Sequence, residues 1–292
     1  MKINWTNNHN SPDWEMDLVK NDDYTGNKGA DWATSKLIDP GQMNRLKKFD
    51  FTHDMDVMES AFTEYGKAKH YIFERALARN PRYITKQRFF RKISSHGKGW
   101  TISGEPDIFD KKTGELWDLK NPTEWVIKNK KWKSWHEQLN IYAWLLAPEG
   151  AIVKTIKARA WVKDYKKYGP LGNPRLTIEF KLWAPEETER FIKDRITDQL
   201  EGQSCTLEQR WSEDKTAVWA VKKIVKKIVN KNAEKYGLHD TEQAAGRDAL
   251  KRTIDKPGTS YHIEHRPANP WFRCEGYCVV KSICPQYKEG KK

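Results

Sequence analysis

The stretch GEPDIFDKKTGELWDLKNP, Gly104 to Pro122, constrains this chain more than any other. It sets two acids, Asp107 and Asp118, on either side of a Lys-Lys-Thr-Gly turn, with strand-forming residues on both arms. A hairpin folded about Lys112–Thr113 puts Asp107 directly across from Asp118, with Cβ atoms about 5 Å apart. Lys120 lies two residues past Asp118 and so points to the same face. An extra residue at Gly114 would shift that register by one. Facing like charges destabilise a sheet, so a cation belongs between these acids. Lys120 supplies part of that charge. A divalent metal would supply more, and carboxylate oxygens suit Mg²⁺ or Mn²⁺. A metal with a neighbouring lysine suits chemistry on a phosphodiester. The plain alternative is a surface hairpin with ordinary charges.

The chain of 292 residues is 37% hydrophobic, enough for one large domain or a core with a small appendix. Its 53 Lys and Arg against 40 Asp and Glu leave a net charge of +13. That surplus suits a polyanion, nucleic acid being the commonest, although solubility alone also explains it. Tryptophans interleave with lysines in KNKKWKSW, Lys128 to Trp135, where bases could stack; core packing is the competing reading for most of the 14 tryptophans. No run of 18 apolar residues exists, so no transmembrane helix is expected. MKINWTNNHNSPDW has no apolar stretch of the secretory kind, and a cytoplasmic protein is expected.

Three segments are expected: an irregular lead-in over 1–50, a core over 51–204 and a C-terminal appendix over 205–292. The core pattern predicts a helix over 54–79 that stops at Asn80-Pro81. Strands follow at Ile84–Ile93, Trp100–Phe109 and Glu115–Asn121. Ser134–Leu146 reads as a helix opened by a Ser-Trp-His-Glu capping box. Strands at Ile156–Val162 and Leu176–Leu182 flank a turn over Gly169–Pro174, and Pro185–Leu200 is a helix. This order gives a mixed α/β (α+β) core, a small mixed sheet flanked by helices. In the appendix, Val218–Val229 is ambiguous between strand and helix, Thr241–Lys251 reads as helix and Ser260–His265 as strand.

Two helices offer further polar groups. Gly66, His70 and Glu74 fall at i, i+4 and i+8, near one helical face. Gly66 would permit close approach to another element, and His70 could give a nitrogen to a metal. Gln138 and Tyr142 are likewise i and i+4, placed to hydrogen-bond a phosphate or to fix Lys120. Four cysteines, Cys205, Cys274, Cys278 and Cys284, suit a metal better than disulfides in a reducing compartment.

Taken in order, Gly66-x3-His70, Gly104-x-Pro106-Asp107, Asp118-x-Lys120 and Gln138-x3-Tyr142 resemble the RecB-like branch of the PD-(D/E)xK nuclease superfamily. The resemblance implies a restriction-endonuclease-like core. It implies His70, Asp107, Asp118 and the carbonyl of Leu119 as ligands of Mg²⁺ or Mn²⁺, and Lys120 as the catalytic lysine. Gln138 and Tyr142 would contact DNA or position the site; Glu74 has no firm counterpart. The cysteines are similar to those of relatives that hold a four-iron iron–sulfur (4Fe-4S) cluster. Cys274-x3-Cys278-x5-Cys284 departs by one residue in its first gap, and Cys205 follows the core instead of preceding it. Zinc is the rival, with His262 or His265 able to replace one thiolate. Either metal would staple the appendix to the core.

The layout is similar to stand-alone phage exonucleases used in recombination, which would act in the host cytoplasm with a single-strand annealing protein as partner. No Walker loop G-x4-G-K-[ST] is present, so ATP-driven unwinding is not expected. An endonuclease on the same core, or a DNA-binding module with a decayed site, are the alternatives.

Overall fold

Period-2 alternation of apolar residues builds the central sheet of the chain. The structure, a computed structural model, describes residues 1–20, 29–166, 172–202, 204–212, 217–225, 228–229 and 237–291. The chain divides into two units, Met1–Gln203 and Ser204–Lys292.

In the first unit the elements run β1 (Lys2–Thr6), α1 (Asp13–Lys20), β2 (Trp32–Ala33), α2 (Thr34–Ile38), α3 (Gly41–Leu46), β3 (Thr52–Asp56), α4 (Val57–Leu77), β4 (Tyr83–Ile84), β5 (Phe89–Ser95), β6 (Lys98–Gly104), β7 (Ile108–Asp110), β8 (Glu115–Lys120), α5 (Glu124–Lys128), α6 (Lys133–Leu146), β9 (Thr155–Trp161), β10 (Arg175–Phe180) and α7 (Pro185–Glu201). The central sheet has the order β10-β9-β8-β7-β4. Only β8 and β9 pair in parallel within it; the other neighbours are antiparallel. A parallel pair needs a long crossover, and α5 and α6 provide it.

Leu116 and Asp118 of β8 alternate onto the same face as Ile156, Ala158 and Ala160 of β9, and all five are buried. Leu139, Leu145 and Leu146 of α6 complete that core. Each such leucine contributes about 1.5–3 kcal/mol by leaving water. Helix α6 starts one residue earlier than the sequence suggests, and the expected capping box does not form. Trp132 is the N-cap, without a side-chain cap bond, and Ser134 lies inside the helix. The Trp132 carbonyl already accepts from the Trp135 and His136 amides, which places the first turn ahead of Ser134.

The expected strand Trp100–Phe109 is two strands in two sheets. Strand β6 pairs with β5 and β2, whereas β7 joins the central sheet. The break falls at Glu105–Asp107, where Pro106 has no N–H to give a ladder. The β5–β6 turn is His96–Gly97, both with positive φ (53° and 67°), the conformation of a tight hairpin. Helix α4 is shorter at its start than expected because residues 54–56 belong to β3; the Asp56 carboxylate caps it by accepting from the Met58 amide at 3.0 Å. Part of the expected Gly169–Pro174 turn lies outside the described residues.

The second unit contains β11 (Val218–Val225), β12 (Ile228–Val229), β13 (Leu238–His239), α8 (Glu242–Asp255), β14 (Tyr261–Arg266), α9 (Phe272–Gly276) and α10 (Pro285–Gly290). The ambiguous stretch is therefore strand where described, and β11 pairs antiparallel with β14. Thr241 caps α8 by accepting from the Ala244 amide at 3.2 Å.

The cysteine-stapled appendix is not what the structure contains. All four cysteines are reduced thiols, and among the described residues no group of three or more His, Cys, Asp or Glu is placed to hold a metal. This overturns the iron–sulfur cluster and its zinc rival. In the metal-free protein burial is the first cause that pushes the Cys205 thiol up to about 12 and Cys274 up to about 11, with the neighbouring cysteines adding to it. His262 and His265 are exposed on β14, and His265 packs against Trp219 with ring centroids 4.6 Å apart. Hydrogen bonds do the tying within this unit. Gln286 accepts from the Cys205 amide at 2.8 Å and donates to its carbonyl at 2.9 Å, and the Arg273 amide donates to the Arg210 carbonyl at 2.9 Å.

In the first unit, Asp110 secures the β7–β8 turn. Its buried carboxylate accepts from Arg82 Nε at 2.8 Å and from the Lys112 amide at 2.9 Å, and it also pairs with Arg82 Nη2. The Arg82 guanidinium holds its pKa far below the usual carboxylate range. Such a depressed group contributes stability that is present above its unfolded pKa of about 3.9 and is lost as pH falls through the folded value. Asp110→Asn should cost about 1–3 kcal/mol at neutral pH and flatten the acid limb of the stability curve, as read by urea unfolding across pH.

Candidate active site

The hairpin register is the one that a turn about Lys112–Thr113 requires: Ile108 faces Trp117, Phe109 faces Leu116 and Asp110 faces Glu115. Gly114, with φ of 75°, absorbs the turn without shifting it. Continuing that register brings Asp107, just before β7, alongside Asp118. The Leu119 amide donates to Asp107 Oδ2 at 2.6 Å, which ties the Pro-Asp arm to the Asp-x-Lys arm.

Each acid has found its own counter-charge. His70 Nδ1, from α4, lies 3.1 Å from Asp107 Oδ1. Lys120 Nζ lies 2.7 Å from Asp118 Oδ2. Lys120 also donates to Gln138 Oε1 at 2.8 Å, and Gln138 Nε2 donates to the Tyr142 hydroxyl at 2.7 Å. Six of the expected side chains thus form two short chains, Tyr142–Gln138–Lys120–Asp118 and His70–Asp107, joined through the Leu119 amide. Burial is the first cause that raises the Asp118 carboxyl, to about 6; the Asp107 charge adds to it, while Lys120 and His70 oppose it. The hydrogen bond to Asp107 raises the His70 imidazole above its ordinary value against the effect of burial.

Gly104 earns its place sterically. A Cβ there would come within 2.7 Å of both Leu145 Cδ1 and Tyr142 Cε1 and 2.8 Å of Thr34 Oγ1. Helix α6, with Gln138 and Tyr142, can approach the sheet because that Cβ is missing. Gly66 has no comparable role within the chain, since its Cβ would meet only Asn121 Nδ2 at an ordinary 3.8 Å. Glu74 stands outside this network and pairs with Lys86 at 3.0 Å.

The donor chemistry fits a hard divalent cation. The site offers two carboxylates and an imidazole, and buried Asp118 Oδ2 has no hydrogen-bond partner of good geometry among the described residues, only the ion pair with Lys120. The arrangement is not a ready-made cage. Among the described residues no group of three or more His, Cys, Asp or Glu is placed to hold a metal, so the expected Mg²⁺ or Mn²⁺ ligands His70, Asp107 and Asp118 do not stand as a gathered set. The physical reason is that His70 and Lys120 occupy the carboxylate oxygens.

Sequence reasoning missed the groups beside this network. Lys69 Nζ donates to Asn121 Oδ1 at 2.7 Å, and Lys69, Arg159 and Trp161 line the same cleft as His70 and Lys120. Their signal was the alternation Arg159-x-Trp161 on the face of β9 opposite Ala158 and Ala160. The tryptophans of KNKKWKSW serve packing at least in part: Trp132 and Trp135 are half-buried against Ile127, Ala160 and Val162.

The model of the PD-(D/E)XK nuclease superfamily matches residues 44–285, so the chain belongs to that superfamily. It is also similar to a solved structure titled "Crystal structure of SSO0001", at 15% identity with a TM-score of 0.44, over 68% of this chain and 85% of that one. No curated protein matches it significantly. Its α/β fold carries the mixed sheet flanked by helices that this superfamily implies. Among the described residues no helix is long and apolar enough to cross a membrane.

The His70–Asp107 pair makes a direct prediction. A raised imidazole pKa means stability that is fully present below the unfolded value of about 6.5 and lost as pH rises through the folded one. The ring signals of His70 should titrate above that unfolded value in NMR spectra, and Asp107→Asn should move the midpoint down. An unmoved midpoint would mean that the pair does not form in solution.

Proposed function

We propose that this chain is a divalent-metal-dependent deoxyribonuclease of the RecB-like branch, which hydrolyses phosphodiester bonds from DNA ends, as in phage-type recombination. The observation that carries the reading is the joined network of His70, Asp107, Asp118, Lys120, Gln138 and Tyr142.

In this reading Asp107 and Asp118, with His70 and the Leu119 carbonyl, would hold the cation, which when bound polarises a phosphate oxygen. Lys120 places its ammonium where negative charge builds on the phosphoryl group. Gln138 fixes that ammonium by accepting from it, and Tyr142 fixes Gln138 by accepting its amide proton. Asp118 is buried at 3% exposure, so its charge acts with little screening from water. Superfamily membership and the net charge of +13 support DNA as the partner. An annealing protein as second partner and a cytoplasmic location follow from the phage-type reading alone.

The test is cleavage of end-labelled linear DNA and of closed circular DNA with Mg²⁺ or Mn²⁺, for the parent and Asp118→Ala. Loss of linear DNA only, abolished by the substitution and by chelation, is the expected result. Cutting of the circle would make the protein an endonuclease. Binding without cleavage of either would leave a DNA-binding module. Tyr142→Phe keeps the ring on Gly104 but removes the acceptor for Gln138, and should slow cleavage about three- to tenfold, in line with one hydrogen bond of about 1 kcal/mol.

A further inference from the structure

We infer that the basic surface formed by Lys69 of α4 with Arg159 and Arg175 of the central sheet, around Trp161, binds the backbone phosphates of the nucleic-acid strand that flanks the reacting bond. Arg159 and Trp161 are two apart on β9 and share a face. Their antiparallel partners on β10 are Thr177 and Arg175. The Arg175 guanidinium lies 4.4 Å from the Trp161 ring centroid, and Lys69 Nζ, from α4, lies 4.8 Å from it. Phe73 meets the same ring edge-on at 5.1 Å. Two cations thus meet on one aromatic platform, and Arg159, two residues before Trp161 on the same face, lines the cleft with Lys69, His70 and Lys120.

What holds these cations is neutral. Lys69 donates to Asn121 Oδ1 at 2.7 Å, Arg159 donates to Thr177 Oγ1 at 2.7 Å, and Arg175 stacks on Trp161. Among the described residues none of the three is ion-paired with a carboxylate. The next cation on the same face of β9 behaves otherwise: Lys157 is neutralised by Glu115 at 2.6 Å and Glu179 at 3.7 Å. Clustered like charges repel, and cation–π contacts of about 0.5–2 kcal/mol each repay only part of that. Left unneutralised, the array keeps a positive field for an external polyanion. A row of phosphates satisfies it, and Asn121, one residue past Lys120, sets the row beside the acids. The assignment rests on the nuclease reading of the adjoining site.

The experiment measures binding of the full chain to a labelled DNA duplex with a single-stranded tail, across a range of NaCl concentrations. An Asp118→Asn background separates binding from cleavage. Each lost phosphate contact should lower the slope of log K against log salt by about 0.7–0.9, so Arg159→Gln with Arg175→Gln should lower it by about 1.5. The double variant should bind roughly tenfold more weakly at low salt. Lys157→Gln should leave the slope unchanged, and Arg159→Lys with Arg175→Lys should restore it. An unchanged slope and affinity in the glutamine variant would overturn the inference. So would binding that depends on a terminal phosphate on the DNA, or weaker binding with an unchanged slope. The two readings fail separately. Cleavage by the parent with an unaltered slope in the double variant removes the phosphate site. A lowered slope with no cleavage by the parent removes the nuclease.

Discussion

The pairing of β7 with β8 decides where every charge of the site falls. A shift of one residue would turn Asp118 and Lys120 away from α6 and leave Asp107 without its acceptor role toward the Leu119 amide. The register is held at one end by the Asp110–Arg82 pair and the Gly114 turn, and at the other by the Asp107–Leu119 hydrogen bond. Between them, Phe109 and Leu116 bury the apolar face. The site is thus an extension of the sheet, and its precision comes from rigid neighbours on both sides of the hairpin.

The second dependence is electrostatic. Two carboxylates placed side by side would repel, and the fold answers with one cation for each: His70 for Asp107 and Lys120 for Asp118. That solution leaves the acids paired. It also explains why donors of the right chemistry do not form a finished metal cage: the oxygens that would bind a cation are spent on the imidazole and the ammonium. Around Trp161, in and beside the same cleft, the balance is opposite, with Lys69, Arg159 and Arg175 held by neutral groups.

The hairpin and the polar network were legible in the sequence because each rests on a short-range rule. Strand alternation set Asp118 and Lys120 on one face, turn chemistry set the register, and i, i+4 spacing joined Gln138 to Tyr142. Longer-range consequences were not legible. Pro106 splits one apparent strand between two sheets, a choice made by tertiary pairing. Trp132 takes the N-cap from Ser134 because its carbonyl is already committed to the helix. The cysteine spacing suggested a metal, but spacing says nothing about how the side chains are placed in space, and among the described residues they form no metal-holding group. The basic face around Trp161 depends on α4 meeting β9 and β10, three segments far apart in sequence.

The central claim is that Lys120, fixed between Asp118 and Gln138, acts in the chemical step. Single-turnover cleavage of end-labelled DNA by Lys120→Ala, with the dissociation constant measured on the same preparation, tests it most directly. The account predicts a loss of about 10²–10³-fold in the cleavage rate, as for removal of one transition-state donor, with DNA affinity nearly unchanged. A cleavage rate equal to that of the parent would contradict it.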